Sequence, residues 1–250
     1  MRHKGKVVIV TGGGTGIGHA CAHRFAAEGA QVVVAGRRLN KAEETVAEIR
    51  AQGGVATALQ ADVAAVADTQ RLVEEAEKQY GALHVIINNA ATVDLHRLVQ
   101  DMTVEEWDYC VNATLRSVFL MAKWGAPLIR DSGGGSIINI GSVGAITPWA
   151  KGAPYCASKG GVLALTKVLA IEYGRWNIRV NALSPGSIVT PNLLSAMENR
   201  GTRELLEAKT VFHRLGQPEE IASVASFLAS DEASFIATAN IVADGGYLTM

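Results

Sequence analysis

The sequence predicts a single-domain, doubly wound α/β fold: one sheet of about seven parallel strands with helices on both faces. Three observations carry this expectation. Short, nearly continuous Val/Ile runs mark strands buried on both faces, as in parallel sheets. Segments with apolar residues at helical spacing separate those runs. A glycine-rich turn follows the first run and opens the first helix, so a ligand is expected at the carboxyl ends of the strands.

The first strand is read at Lys6–Gly12 (KVVIVTG), and a helix follows it to about Ala27. The second strand, Gln31–Gly36, precedes a helix over Asn40–Arg50 whose Ala42, Val46 and Ile49 share one face. Val55–Gln60 and His84–Asn89 are the third and fourth strands. Thr103-Val-Glu-Glu106 is a capping box, opening a long helix from Val104 to Leu128. Ser136–Ser142 is the fifth strand, Ala153–Tyr173 a helix and Ile178–Ser184 the sixth strand. Pro218–Ser230 carries Ile221, Val224, Ala225 and Leu228 at helical spacing, and Ala239–Gly245 closes the sheet. No repeat or linker interrupts residues 1–250, which read as one domain.

A chain of 250 residues buries enough surface to need no metal or disulfide staple. Its 23 basic and 24 acidic side chains balance to a net charge of −1, so neither nucleic acid nor an anionic membrane is an expected partner. Cys21, Cys110 and Cys156 are far apart and form no CxxC pair, which points to the cytoplasm and to no zinc site. The six histidines are read without metal-ligand spacing, with His96 and His213 as surface or lid residues. The apolar run Val7–Val10 is too short for a signal peptide, and no GxSxG elbow supports a hydrolase. The uncharged stretch 132–150 is broken by glycines and Pro148, which no membrane helix would carry.

Residues Thr11–Gly18 read TGGGTGIG. Gly12 permits a sharp turn, Gly16 lets backbone approach a pyrophosphate, and Gly18 allows close packing. The helix amino terminus offers free N–H groups to an anion. This Gly-x-x-x-Gly-x-Gly spacing resembles the TGxxxGxG block of the short-chain dehydrogenase/reductase family. Further blocks match in order along essentially the whole chain: Asn88-Asn-Ala-Ala91, Ser142, Tyr155-x-x-x-Lys159, Pro185-Gly186 and Thr190, with Asn112 in the long helix. The resemblance implies a Rossmann-type fold and NAD(P)-dependent interconversion of a carbonyl and a secondary alcohol.

Tyr155 and Lys159 stand four apart on a helix and so share a face. A free tyrosine has a pKa near ~10, and a neighbouring ammonium is expected to lower it toward working pH. By resemblance, Tyr155 is the general acid/base, Ser142 orients the carbonyl, Lys159 also holds the nicotinamide ribose, and Asn112 keeps a water in a proton relay. Cys156 reads as a small packing residue.

An NAD site usually has a carboxylate at the end of the second strand. Gly36 stands where NAD-type members of the family have Asp, and Arg37 and Arg38 follow it, suited to a 2′-phosphate. NADP(H) is therefore expected to be preferred, with NAD(H) the other candidate; Thr15 stands where the family has a second basic mark. The resemblance adds Ile17 in the glycine loop, Asp62 and Val63 at the adenine and Asn89 and Ala90 at the adenosine ribose. It places Pro185, Gly186, Ile188 and Thr190 at the nicotinamide carboxamide and phosphates.

Val143, Trp149, Leu193, Leu194, Met197 and Phe212 are candidate pocket walls, and residues 191–213 an expected lid. Ile171 stands where many ketoacyl-carrier-protein reductases have Arg, which speaks against an acidic carrier. The family places its two long helices and the terminal DGGYLTM stretch at subunit contacts, implying a homotetramer. The alternative reading is a dinucleotide-sensing regulator, which needs the glycine loop but not the acid/base set. Lyase or epimerase chemistry ranks below both, since only about 65 residues follow Pro185.

Overall fold

The structure is a computed structural model and describes residues 1–92, 97–196 and 200–250. Seven strands form one parallel sheet: β1 (Val7–Thr11), β2 (Gln31–Gly36), β3 (Val55–Gln60), β4 (Val85–Asn88), β5 (Gly135–Ile140), β6 (Ile178–Pro185) and β7 (Asn240–Ala243). Their spatial order is β3-β2-β1-β4-β5-β6-β7. The order reverses between β1 and β4, so a crevice opens between their carboxyl ends, where such sheets bind ligands.

Alternation within β1 shows why the Val/Ile runs fold this way. Val8 and Val10 face one core layer, with Phe25, Val46 and Leu228; Val7 and Ile9 face the other, with Leu72, Met121 and Ile129. The first layer is covered by α1 (Gly16–Ala27), α2 (Leu39–Ala51) and, nearer the carboxyl end of the chain, Pro218–Ala229. The second is covered by α3 (Val66–Tyr80), the long helix from Val104 to Asp131, and Ala153–Tyr173. Both faces of the strands are thus removed from water, the main stabilising contribution available to a chain without crosslinks.

The long helix departs from the expected uninterrupted one. It is α4 (Val104–Val111), a π-helical stretch over Asn112–Arg116, and α5 (Ser117–Asp131), run together. The capping box is present: Glu106 N donates to Thr103 Oγ1 at 3.2 Å, and Thr103 N donates to Glu106 Oε2 at 3.0 Å. Next come α6 (Ala153–Tyr173), α7 (Pro191–Ala196), α8 (Arg200–Ala208) and α9 (Pro218–Ala229). Met197 and His96 lie outside the described residues. No helix among the described residues is long and apolar enough to cross a membrane.

Candidate active site

The glycine turn leaves the end of β1 and is tied to β4 by one hydroxyl. Thr11 Oγ1 donates to Ile87 O at 3.2 Å and accepts from Asn89 N at 3.0 Å and Ala90 N at 3.1 Å. The Asn89 amide donates back to Thr11 O at 3.0 Å and Gly12 O at 3.2 Å. Asn89, expected at the ribose, therefore also holds the loop in place. Gly12 (φ +65°) and Gly16 (φ +55°) are in the left-handed region, which only glycine occupies readily. A Cβ on Gly18 would stand 2.2 Å from Gly12 O, and one on Gly16 would stand 3.0 Å from Thr190 Cγ2. The three glycines thus make a cradle that any side chain would fill.

Helix α1 starts at this cradle. Thr15, its N-cap, has extended backbone and caps nothing with its side chain among the described residues, and the first turn holds no acidic residue. Ile17 is half-buried and packs on the core below. The open first-turn amides and positive helix end suit a pyrophosphate, so the residues present fit a dinucleotide.

At the end of β2, a Cβ on Gly36 would meet no described atom within 4 Å. Arg37 and Arg38 are exposed. The Arg37 guanidinium donates to Tyr109 Oη and lies 5.7 Å from that ring's centre, while Arg38 is the N-cap of α2. Asp62 Oδ1 accepts from Ala64 N at 3.0 Å, and α3 is capped at Ala65, so Asp62 does not serve as a helix cap. Val63 beside it is buried. Across the crevice, Pro185 ends β6, and a Cβ on Gly186 would stand 2.8 Å from Asp244 Cα. Ile188 bridges to Gly216, and Thr190 Oγ1 accepts from Leu193 N at 3.3 Å at the start of α7. The root of the expected lid therefore rests on the glycine turn through Thr190 and Gly16.

The acid/base residues converge above β5. Ser142 has left the strand, which ends at Ile140, two residues short of the expected end. It caps a 3₁₀ turn over Val143–Ala145, its Oγ accepting from Gly144 N at 3.0 Å. The same hydroxyl interacts with the phenol of Tyr155. Lys159 is buried, with Nζ 5.7 Å from the centre of the Tyr155 ring and 2.5 Å from Ile140 O, to which it donates. Both side chains thus lie on one side of α6. Asn112 opens the π-helical stretch, which packs on α6; π-bulges recur at functional sites because they re-aim side chains.

The expected lowering of the tyrosine pKa is corrected. Burial pushes the Tyr155 phenol up to about 12, with the Ser142 hydroxyl only partly opposing it. Burial also pushes Lys159 down to about 8. Desolvation penalises both charged forms, and here it outweighs any attraction between phenolate and ammonium.

Two features escape the sequence reading. The Cys110 thiol, donating to Thr92 O at 3.3 Å, lies close enough to act electrostatically on both Tyr155 and Lys159. The Trp149 indole covers Gly144 and Gly152, where a Cβ would approach to 2.4 and 2.6 Å, and its ring centre is 5.8 Å from that of Tyr155. Val143 is buried beneath this region; Leu193 is half-buried and Leu194 and Phe212 are exposed. His213, with φ +50°, is exposed beyond them. Two clefts elsewhere, one at the opposite end of the sheet and one between α3 and α5, contain none of the acid/base residues.

Along nearly its whole length the chain is similar to known dehydrogenases and reductases. A family model described as enoyl-(acyl carrier protein) reductase matches residues 12–248. The rabbit (Oryctolagus cuniculus) protein dehydrogenase/reductase SDR family member 4 is 36% identical over 96% of this chain and 93% of its own. Cyclohexanol dehydrogenase of Acinetobacter sp. (strain SE19) is 38% identical over 97% and 94%. A crystal structure from Sinorhizobium meliloti 1021, described as a short-chain alcohol dehydrogenase, superposes with a TM-score of 0.94 at 34% identity, covering 98% of this chain and 97% of that one.

Proposed function

The chain belongs to the short-chain dehydrogenase/reductase family, NAD(P)-dependent enzymes acting on CH–OH and C=O groups, and from this we propose that it is an NADP(H)-preferring carbonyl reductase and secondary-alcohol dehydrogenase with Tyr155 as its general acid/base. One observation carries the reading: Tyr155, the Ser142 hydroxyl and Lys159 meet at the carboxyl end of β5, on the crevice that holds the glycine cradle.

A bound nicotinamide supplies or accepts the hydride. The chain's own residues bind, orient and move the proton. Gly12, Thr15, Gly16, Ile17 and Gly18 present the loop and helix amides to the pyrophosphate. Arg37 and Arg38 hold the 2′-phosphate, Asp62 and Val63 the adenine, and Asn89 and Ala90 the adenosine ribose. Pro185, Gly186, Ile188 and Thr190 hold the nicotinamide end. In reduction, Ser142 Oγ donates a hydrogen bond to the substrate oxygen and Tyr155 Oη gives it a proton. Lys159 and Asn112 restore that proton through the relay, and oxidation runs the same transfers in reverse.

Trp149 beside Tyr155 favours a substrate with an apolar body, such as a cyclic or aryl-substituted secondary alcohol. Residues 191–213 close over it. Exposed Trp107, Phe119, Val168 and Ile171 on α4, α5 and α6 favour the homotetramer, and three buried cysteines in no disulfide favour the cytoplasm.

The test is a panel of ketones and alcohols, including cyclohexanol, followed by the absorbance of reduced nicotinamide. Tyr155→Phe is expected to reduce turnover by roughly 10²–10⁴-fold while dinucleotide affinity stays unchanged. Undiminished turnover in that variant refutes Tyr155 as proton donor. Dinucleotide binding without turnover of any member supports the sensing regulator instead.

A further inference from the structure

Helix α1 carries His19 and His23 four residues apart, on consecutive turns of one face. The pair lacks a third partner within its own helix; that partner comes from another helix. Glu48 of α2 stands opposite: its Oε2 is 3.5 Å from His19 Nε2 and 3.1 Å from His23 Nε2. One ligand atom from each of the three lies within 4.8 Å of the others. A tetrahedral zinc ion with bonds of about 2.0–2.1 Å separates its ligand atoms by about 3.4 Å, so two of the three edges are already near that length.

The neighbouring contacts fix which nitrogen of His19 is available. His19 Nδ1 is 3.0 Å from Thr45 Oγ1, and that buried hydroxyl has carbonyl acceptors at Lys41 O (3.1 Å) and Gly13 O (3.3 Å). When its single proton goes to either carbonyl, its oxygen accepts from His19 Nδ1–H, the tautomer that leaves Nε2 free of a proton. In that tautomer the Nε2 lone pair faces the Glu48 carboxylate at 3.5 Å, a repulsive contact that a shared cation, a metal ion or a proton, relieves. A hydrogen-bond acceptor on the far ring nitrogen is also what metal-bound histidines ordinarily have. Glu219 of α9 adds negative charge on the same side.

We propose that His19, His23 and Glu48 bind one divalent transition-metal ion of the zinc class, which clips α1, the helix carrying the glycine loop, to α2. Two imidazoles and a carboxylate suit Zn²⁺, Ni²⁺ or Cu²⁺ and not the oxygen-seeking Mg²⁺ or Ca²⁺. Three protein ligands leave a fourth position for water. The site shares no residue with Ser142, Tyr155 and Lys159, and its role is to hold two helices together. Through Thr45 it also reaches the Gly13 carbonyl.

The experiment titrates ZnCl₂ into untagged, chelator-treated full-length protein by calorimetry, without dinucleotide, so that its outcome is independent of the proposed activity. One equivalent is expected to bind per chain, with MgCl₂ failing to compete. Free Zn²⁺ at roughly 100 times Kd is expected to raise Tm by about 5–10 °C. His23→Ala and Glu48→Gln are expected to weaken binding at least ~10-fold, while His213→Ala leaves it unchanged. Circular dichroism of each metal-free variant checks that it is folded. Absence of a stoichiometric site, equal binding by folded His23→Ala, or competition by Mg²⁺ overturns the proposal.

Discussion

Lys159 sits one helical turn from Tyr155 with its ammonium 5.7 Å from the centre of the phenol ring and its hydrogen bond given to Ile140 O at 2.5 Å. With the amine pushed down to about 8 and the phenol up to about 12, the pair gives up its first proton near pH 8. Alcohol oxidation needs the pair able to accept a proton, and carbonyl reduction needs it loaded. We therefore expect kcat/KM for oxidation to rise through an apparent pKa near 8, and that for reduction to fall over the same range. Lys159→Met removes both inflections. Profiles flat from pH 7 to 9 in the unsubstituted enzyme contradict this assignment.

Gly36 sets the cofactor prediction. Its Cβ position is open and its φ lies outside the left-handed region, so Gly36→Asp introduces a carboxylate without backbone strain. That carboxylate would accept from ribose hydroxyls and repel a 2′-phosphate. The change is expected to shift the ratio of kcat/KM for NADPH over NADH toward NADH by roughly 10–100-fold, the worth of one or two charge-assisted hydrogen bonds. A ratio unmoved by the substitution counts against the placement of the 2′ position beside Gly36 and Arg37.

Legibility in the sequence followed the range of the interactions. The inner strands are legible because burial on both faces leaves uninterrupted Val/Ile runs, as in Val7–Val10 and Val32–Val34. Helix α3 is harder to see, since Leu72, Val73 and Ala76 are spaced among many charged residues. The glycine cradle and the Tyr155/Lys159 pair showed in spacing because each lies within one turn or one helix. What stayed hidden depends on contacts between distant segments. The Thr11 hydroxyl reaches across to Asn89, Trp149 folds back over Gly144 and Gly152, and Glu48 meets two histidines of another helix. The pKa balance at Tyr155 is hidden for a related reason: proximity to an ammonium is visible in a sequence, and the desolvation of both groups is not.

Thr11 tests the tie between β1 and β4. Thr11→Val keeps the shape but takes from Ala90 N its acceptor and from Asn89 N one of two, the other being Ile87 O at 3.1 Å. The one amide left without an acceptor is half-buried, so a loss of about 1 kcal/mol is expected. In a chain of this size that lowers Tm by about 2–4 °C. Thr11→Ser retains the hydroxyl and should recover most of it. Dinucleotide affinity, measured by titration, should fall in the valine variant and hold in the serine variant, because the loop is what the hydroxyl positions.

The last prediction concerns acid stability at the start of α9. Glu220 accepts from Arg214 Nη2 at 2.7 Å through Oε1, and from Arg214 Nη1 at 2.8 Å and Gln217 N at 2.7 Å through Oε2. These bonds, the guanidinium first, hold its carboxyl down at about 2. A folded-state pKa below the unfolded value means the carboxylate's stabilisation is complete above about pH 5 and is lost as pH falls toward 2. Both side chains are about half exposed, at 50% and 47%, so solvent screens the pair to no more than about 1 kcal/mol. Glu220→Gln keeps an oxygen for Gln217 N and removes the charge facing Arg214. Its Tm is expected to lie about 2–4 °C below that of the unsubstituted protein at pH 7. The gap should close as pH approaches 2 and narrow in about 1 M salt, where the Debye length is near 3 Å. A gap that persists undiminished at low pH assigns the loss to packing and not to the ion pair.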